Sequence, residues 1–464
     1  MRVDAEERPT KDGASHEVSG LTPEFMSAIL SALEEGRDDE ITQLANALHP
    51  ADLADLIEKL SNDHRADLVE RLRGDLNPNM IAELDESVFG HVVDQLGVEE
   101  VAEVVAVMDT DDAVGVIGEL GEEEQQEFLE ALPEDERALI EQGLAYPEDS
   151  AGRLMQRHTV AMADHSSVGQ AIDFMRDRDD LPSDFFDVVL VNPAHQPVGT
   201  VPLSRIMSSH RNVALTALMV SDMKIIPVRM DQEDVAFLFR QRDLVSASVV
   251  DDGGRLVGVI TVDDIVDVIH EEHEEDIKRL GGVGEDDDLY SAILHTTRSR
   301  FTWLFVHLIA AIIAAYVISF FAATIEQMVA LAVLMPIVAT MGGTASVQAL
   351  TVAVRAIAMK ELSPSNAVRA IGKEVLVSLF NGVMFALIIG VVAWFWFDNP
   401  ALGGVIAMAI VINLVVAGLA GSALPVLLDR LGFDPALASS AFLTSITDVV
   451  GFYAFLGLAS ILLL

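Results

Sequence analysis

Five long apolar blocks, at residues 301–323, 328–358, 375–397, 402–428 and 436–464, constrain this 464-residue chain more than any other feature. Each is long enough to cross about 30 Å of hydrocarbon as a helix, which takes roughly 20 residues. Within a bilayer the backbone must satisfy its own hydrogen bonds, so this part is predicted to be a polytopic bundle of five transmembrane helices. No comparable apolar segment precedes residue 300, and the acidic, polar N-terminus does not read as a cleaved signal peptide.

Basic residues orient the spans. Arg298 and Arg300 precede the first, Arg355, Lys360, Arg369 and Lys373 surround the second connection, and Arg430 lies in the fourth. The first connection (324–327) and the third (398–401) have no Lys or Arg. The expected topology is a cytoplasmic N-terminal part in the cytoplasmic membrane, with the C-terminus outside because the number of spans is odd.

The formal net charge is -44, and the spanning part, with 5 Lys/Arg against 7 Asp/Glu, accounts for very little of it. A soluble part this acidic repels nucleic acid and anionic lipid and attracts cations. Two causes fit and are compatible: a cation-sensing domain, and adaptation of a whole proteome to high salt. The chain has no cysteine, which excludes disulfides and thiolate sites and leaves oxygen ligands as its main metal chemistry.

Residues 1–20 are polar and aperiodic, as a disordered tail would be. Residues 21–145 read as an acidic, all-α repeat of short amphipathic helices punctuated by Gly and Pro, as in HPADLADLIEKL (49–60) and VEEVAEVVAVM (98–108). Self-similarity at roughly two dozen residues suggests a helical solenoid, and a plain bundle fits the periodicity equally well. Residues 146–272 alternate strands and helices and contain an internal repeat: VVLVNPAHQPVGTV (188–201) matches ASVVDDGGRLVGVI (247–260). Two small α/β units of one plan, each with a Gly opening its second strand, resemble a tandem pair of cystathionine β-synthase (CBS) domains. In such domains a Gly, a Thr or Ser, and an Asp three further on commonly meet a nucleotide. The second unit has Gly258, Thr261 and Asp264, while the first has Pro202 and Arg205 at the matching places. The resemblance therefore implies at most one adenine nucleotide, such as ATP, per chain.

Residues 273–300 form a charged connection, predicted to continue as a helix into the first span. His270, Glu271 and His273 suggest a zinc-protease motif, but the position four after His270 is Glu274, so the second ligand is missing. A solvated acidic linker and an ion-sensing helix both fit. No Walker-type loop occurs either, since Gly372 and Lys373 are followed by Glu374.

Asp448 is the acidic residue deep inside a span; Glu326, Glu361, Glu374, Asp398, Asp429 and Asp434 all lie at ends or connections. A carboxylate at membrane depth is costly unless it faces water or a cation. Thr444 lies one helical turn before it on the same face, with Ser440 a turn earlier, and the stripe suits a pore wall. A carboxylate satisfied by neighbouring hydroxyls is the alternative. The second block contains Pro336, Gly342 and Gly343, with Thr344, Ser346, Gln348 and Thr351 after them. These residues fit either a bent helix with carbonyls lining a water-filled path or close packing against a neighbour. Asn381, Asn413 and Pro425 read as packing.

The order of parts, with YPEDSAGRLM (146–155), EEDIKRLGGV (274–283) and SITDVVG (445–451), closely resembles the MgtE-type magnesium transporter and channel family over residues 22–464. The resemblance implies a homodimer with a shared Mg²⁺-selective pore lined by Asp448 and Thr444. It also implies gating by intracellular Mg²⁺ bound among the acidic repeat, the CBS pair and a connecting "plug" helix. Regulatory candidates are Asp109, Asp111, Asp263, Asp267, Glu271, Glu274, Glu275 and Asp276. Where many members read Gly-Gly-Asn followed by a further Gly two places on, this chain has Gly342, Gly343, Thr344 and Ser346.

Mg²⁺ suits these residues independently, because it is a hard cation that keeps several waters and uses few carboxylates. Its entry needs no enzyme activity, since a divalent ion gains about 4.6 kcal/mol per 100 mV of inside-negative potential. Mn²⁺ or Co²⁺ is the alternative cargo. A membrane-anchored CBS regulatory module is the alternative class, although an anchor needs neither Asp448 nor a polar second span.

Overall fold

The computed structural model describes residues 21–178, 181–182, 185–284, 293–438 and 440–463; the tail predicted at 1–20, residue 464 and residues 285–292 of the connection lie outside the described residues. The chain forms two compact units, one ending at Val268 and the other beginning at Ile269.

The first unit opens with short helices, from α1 (Pro23–Glu35) to α10 (Glu134–Leu144). Several pack on the helix two places ahead, as α3 (Pro50–Lys59) does on α5 (Pro78–Ala82), and α8 (Thr110–Gly118) on α10. That stepwise pattern is the solenoid alternative, and it builds one continuous apolar core around Leu56, Leu68, Phe89, Ile117 and Phe128. A repeated device turns the chain between successive helices. In LSNDHR (60–65), LGEEEQ (120–125) and LPEDER (132–137) the last residue reaches back to carbonyls at the end of the preceding helix. Arg65 donates to the Ile57 and Glu58 carbonyls at 2.9 and 3.0 Å, Gln125 to Gly118 and Leu120, and Arg137 to Glu130 and Leu132. Helix ends leave such carbonyls orphaned, so one long polar side chain satisfies them where the turn is too short for water.

Two three-stranded sheets follow, with strands β1 (Ala161–Ala163), β2 (Asp187–Val191) and β3 (Pro197–Pro202), then β4 (Ile225–Pro227), β5 (Ser246–Val250) and β6 (Leu256–Thr261). In each, the first pair is parallel and the second antiparallel. The repeat holds at the level of register: Leu190 pairs with Gly199 and Val249 with Gly258, each just before a one-residue bulge. Both sheets therefore belong to the paired CBS plan. From β6 the chain enters α14 (Val262–Gly281).

The second unit contains α15 (Ile293–Ser319), α16 (Ala322–Gln327), α17 (Ala330–Ala358), α18 (Ala367–Phe397), α19 (Pro400–Leu431) and α20 (Ser440–Leu462). All but α16 include a stretch long and apolar enough to cross a membrane. α19 is the central helix, packed by α17, α18 and α20 through a core of Leu334, Val338, Ile406, Ile410 and Phe455. The outer faces of α15 and α18 are apolar as well, with Phe305, Ile312, Phe380, Leu387 and Phe395 exposed. Only hydrocarbon or another protein surface suits such faces. The third helix begins at Ala367, earlier than its apolar block, because Arg369, Lys373 and Glu374 extend it beyond the membrane.

Candidate ion pathway and regulatory carboxylates

Asp448 lies in the third turn of the last membrane helix and is half-buried, with its Oδ1 fully buried and without a hydrogen-bond partner among the described residues. Neighbouring hydroxyls do not satisfy that oxygen. Thr444 donates to the Ser440 carbonyl at 2.7 Å, and Thr447 is buried and turned to the carbonyls of Leu443 and Thr444. A carboxylate oxygen left unsatisfied at this depth favours a cation. His307, on α15, is a neighbour of Asp448. Sequence reasoning missed it, although an imidazole inside an apolar span is the same kind of signal as Asp448 itself.

The second span is one continuous helix with Pro336 inside it and Gly342 and Gly343 buried. A Cβ at Gly343 would lie 3.2 Å from Thr444 Cγ2, so α17 runs directly against the polar stripe of α20. Of the two residues that depart from the family pattern, Ser346 is buried and donates to the Gly343 carbonyl at 2.8 Å, while Thr344 is exposed.

In the first unit a group of carboxylates converges where α8 meets the start of α14. Asp111 is 8% exposed, and both its carboxylate oxygens are buried with no hydrogen-bond partner among the described residues. Burial, then the charges of Asp264 and Asp112, push its pKa well above the usual carboxylate range. Asp112 is pushed up to about 6 by burial and by Asp109, Glu83, Asp263 and Asp267. Asp264 is pushed up to about 7 by burial and by Asp263. Glu83 is raised by burial and by Asp267. Of the predicted regulatory residues, Asp109, Asp111, Asp263 and Asp267 therefore come together. Asp112 and Glu83 join them unforeseen, because their approach depends on the tertiary contact between two acidic helix starts. No three of these side chains form a ready-made metal cage among the described residues. Mg²⁺, which binds largely through its own waters, does not need one.

In the second unit Asp276 has a raised pKa, from burial and then from the charge of Asp434. Arg279 bridges Asp434 and Glu275 beside it, and Glu274 pairs with Lys278 at 3.1 Å. Leu280 packs with Leu350, Ala436 and Leu443, which seats the end of α14 against the start of the Asp448 helix. Glu271 is exposed one turn before Glu275.

Of the three residues predicted to hold a nucleotide, Thr261 lines a small cavity with Thr159, Asp187, Thr200 and Ser246. Thr261 donates to Asp264 at 3.0 Å, Asp264 turns to the carboxylate group, and a Cβ at Gly258 would press on Met155 and the Gln156 carbonyl. A larger cleft of about 530 Å³ adjoins it through the shared Asp187, Thr200 and Ser246, and is lined also by Asp222, Lys224 and Asp243 among others.

Comparison with known proteins is consistent along the whole chain. Residues 335–458 match a family described as a divalent cation transporter, residues 48–149 match the MgtE intracellular N domain, and residues 215–271 match the CBS domain. The magnesium transporter MgtE of Thermus thermophilus is 31% identical over 454 residues, covering 94% of this chain and 98% of that protein. The corresponding transporter of Enterococcus faecalis is 32% identical over 326 residues, covering 70% of this chain and 72% of that protein. A crystal structure of the soluble part of a magnesium transporter superposes with a TM-score of 0.48 at 25% identity, covering 54% of this chain and 98% of that one. With two relatives above 30% identity matched over most of their length, the chain belongs to the MgtE family of magnesium transporters.

Proposed function

We propose that this chain forms a homodimeric, Mg²⁺-selective pathway for magnesium uptake through the cytoplasmic membrane, with its N-terminal part in the cytoplasm and its C-terminus outside. The observation that carries the reading is the partnerless buried oxygen of Asp448, deep in a membrane helix of a magnesium transporter family member. In a two-fold dimer the two Asp448 carboxylates face each other and hold a hydrated Mg²⁺ with help from Thr444. The domain plan is a helical repeat to residue 145, a CBS pair to 272, a connection that includes the end of the plug helix α14, and the pore domain from about residue 301.

Cytoplasmic Mg²⁺ regulates the pathway in this reading. Asp109, Asp111, Asp112, Asp263, Asp264 and Asp267 form one cation-attracting group, and Glu274, Glu275 and Asp276, near Asp434, form another. The partnerless Asp111 oxygens fit a hydrated hard cation there, which offsets the repulsion and holds the plug helix in place. When Mg²⁺ is scarce the carboxylates repel, and the pathway opens. Tracer uptake into proteoliposomes across Mg²⁺, Mn²⁺ and Co²⁺ tests selectivity, and Mn²⁺ or Co²⁺ flux exceeding Mg²⁺ flux would contradict it.

A nucleotide, if bound, occupies the 530 Å³ cleft rather than the Thr261 and Asp264 pair, whose polar atoms already engage each other and the acidic group. One site per chain is expected by calorimetry with ATP, unchanged by Asp264→Asn. Two equivalent sites, or loss of binding in Asp264→Asn, contradicts this placement.

A further inference from the structure

Asn413, in the middle of α19, is fully buried. Its side-chain amide donates to the Val338 carbonyl of α17 at 2.9 Å, and its Oδ1 has no partner among the described residues. Two helices make room for this one side chain. A Cβ at Gly342 on α17 would collide with its amide nitrogen, and a Cβ at Gly451 on α20 would come within 2.7 Å of the same atom. Three membrane helices therefore meet on a single carboxamide. The glycine on α20 lies three residues after Asp448, and the one on α17 lies next to Gly343, which touches Thr444. A buried acceptor left without a donor is unfavourable, so an amide kept here contributes something that apolar packing would not.

We propose that Asn413 is a positioning residue: by tying α17 to α19 and seating Gly451, it fixes the separation of α17 and α20 beside Asp448 and so sets the ion preference of the pathway. This rests on the reading of Asp448 and Thr444 as pore-lining. The hydrogen bond to Val338 fixes where along α17 the amide sits, and the two glycines fix how near the neighbouring helices approach. A site held at one width distinguishes Mg²⁺, with oxygen ligands at about 2.0–2.1 Å, from Ca²⁺ at about 2.3–2.6 Å. Loosening that width weakens the distinction.

The test uses the full chain in proteoliposomes with Mg²⁺ and Ca²⁺ as probes, comparing wild type with Asn413→Leu and Gly451→Ala. The ratio of the two fluxes does not depend on how much protein folds, so a purely structural defect leaves it unchanged. In Asn413→Leu, which keeps similar bulk but cannot donate, the Mg²⁺ to Ca²⁺ ratio is expected to fall by about fivefold or more, and Gly451→Ala shifts it in the same direction. If the leucine variant does not fold, Asn413→Ala, which removes the donor and adds no charge, carries the comparison. A wild-type ratio in the folded Asn413 variant overturns the proposal. So does a folded variant with neither flux, because an altered width changes preference rather than closing the path. Asp448→Ala run in parallel separates the two readings. Normal flux there with an altered ratio in Asn413→Leu removes the pore carboxylate but not the positioning role, while lost flux with an unaltered ratio removes only the positioning role.

Discussion

Asp448→Ala is expected to lower Mg²⁺ uptake by about two orders of magnitude or more, because the proposed pathway sets this carboxylate against the ion at membrane depth. Expression and assembly should survive. The lost Oδ1 has no hydrogen-bond partner to strand, and removing an unsatisfied buried charge leaves nothing uncompensated. Asp448→Asn keeps the shape and should fail almost as badly, which places the effect on charge rather than on packing. Uptake by cells lacking other magnesium transport, normalised to protein in the membrane, measures it. Wild-type uptake by either variant would remove Asp448 from the pathway.

The second large effect concerns the carboxylates around Asp111 and its dependence on pH. Asp112 and Asp264 have folded-state pKa values pushed up to about 6 and about 7, above their ordinary range near 4. The folded chain therefore binds protons more tightly than the unfolded chain. The resulting stability is fully present below about pH 4 and is lost as the pH rises through about 6 to 7. Above that, Mg²⁺ bound to the folded form would offset the repulsion and restore stability by mass action. For the full-length protein in detergent, millimolar Mg²⁺ should raise the unfolding midpoint by about 4 °C or more near pH 8 and by less near pH 5, where protons already neutralise Asp112 and Asp264. The paired substitution Asp111→Asn with Asp264→Asn should make the Mg²⁺-free protein more stable near pH 8 and remove most of the Mg²⁺ gain. An equal gain from KCl at matched ionic strength would assign the effect to screening and to salt adaptation instead. Because several carboxylates act on one another within this buried group, they should respond to Mg²⁺ together and the response should be cooperative.

Much of the architecture was legible because its signals are strong and local. Spans of this length admit few structures in a bilayer, and the repeat around Gly199 and Gly258 carried through to identical sheet register. Asp448 stood out because a lone carboxylate in an apolar run has no routine explanation. What sequence could not decide were the contacts between distant elements. The motif Gly258, Thr261 and Asp264 read as one nucleotide site, yet the fold directs Asp264 to Asp111, more than 150 residues earlier. Asp112 and Glu83 carried no signal in a chain so rich in acid. Gly342 and Gly343 had two readings from sequence, and only the fold shows their close approach to Asn413 and Thr444. Asn413 itself looked like ordinary glue until both of its glycine neighbours were in place.

The central claim, an Mg²⁺ pathway that cytoplasmic Mg²⁺ closes through these carboxylates, is tested most directly by flux through the full-length protein in proteoliposomes of defined orientation. Mg²⁺ entry driven by an inside-negative potential is recorded while Mg²⁺ on the side of the N-terminal domains is varied and ionic strength is held constant with KCl. The account predicts that entry falls steeply and cooperatively as that Mg²⁺ rises through the millimolar range, and that Asp111→Asn with Asp264→Asn stays open. Entry that ignores Mg²⁺ on that side, or that KCl suppresses equally, would contradict it.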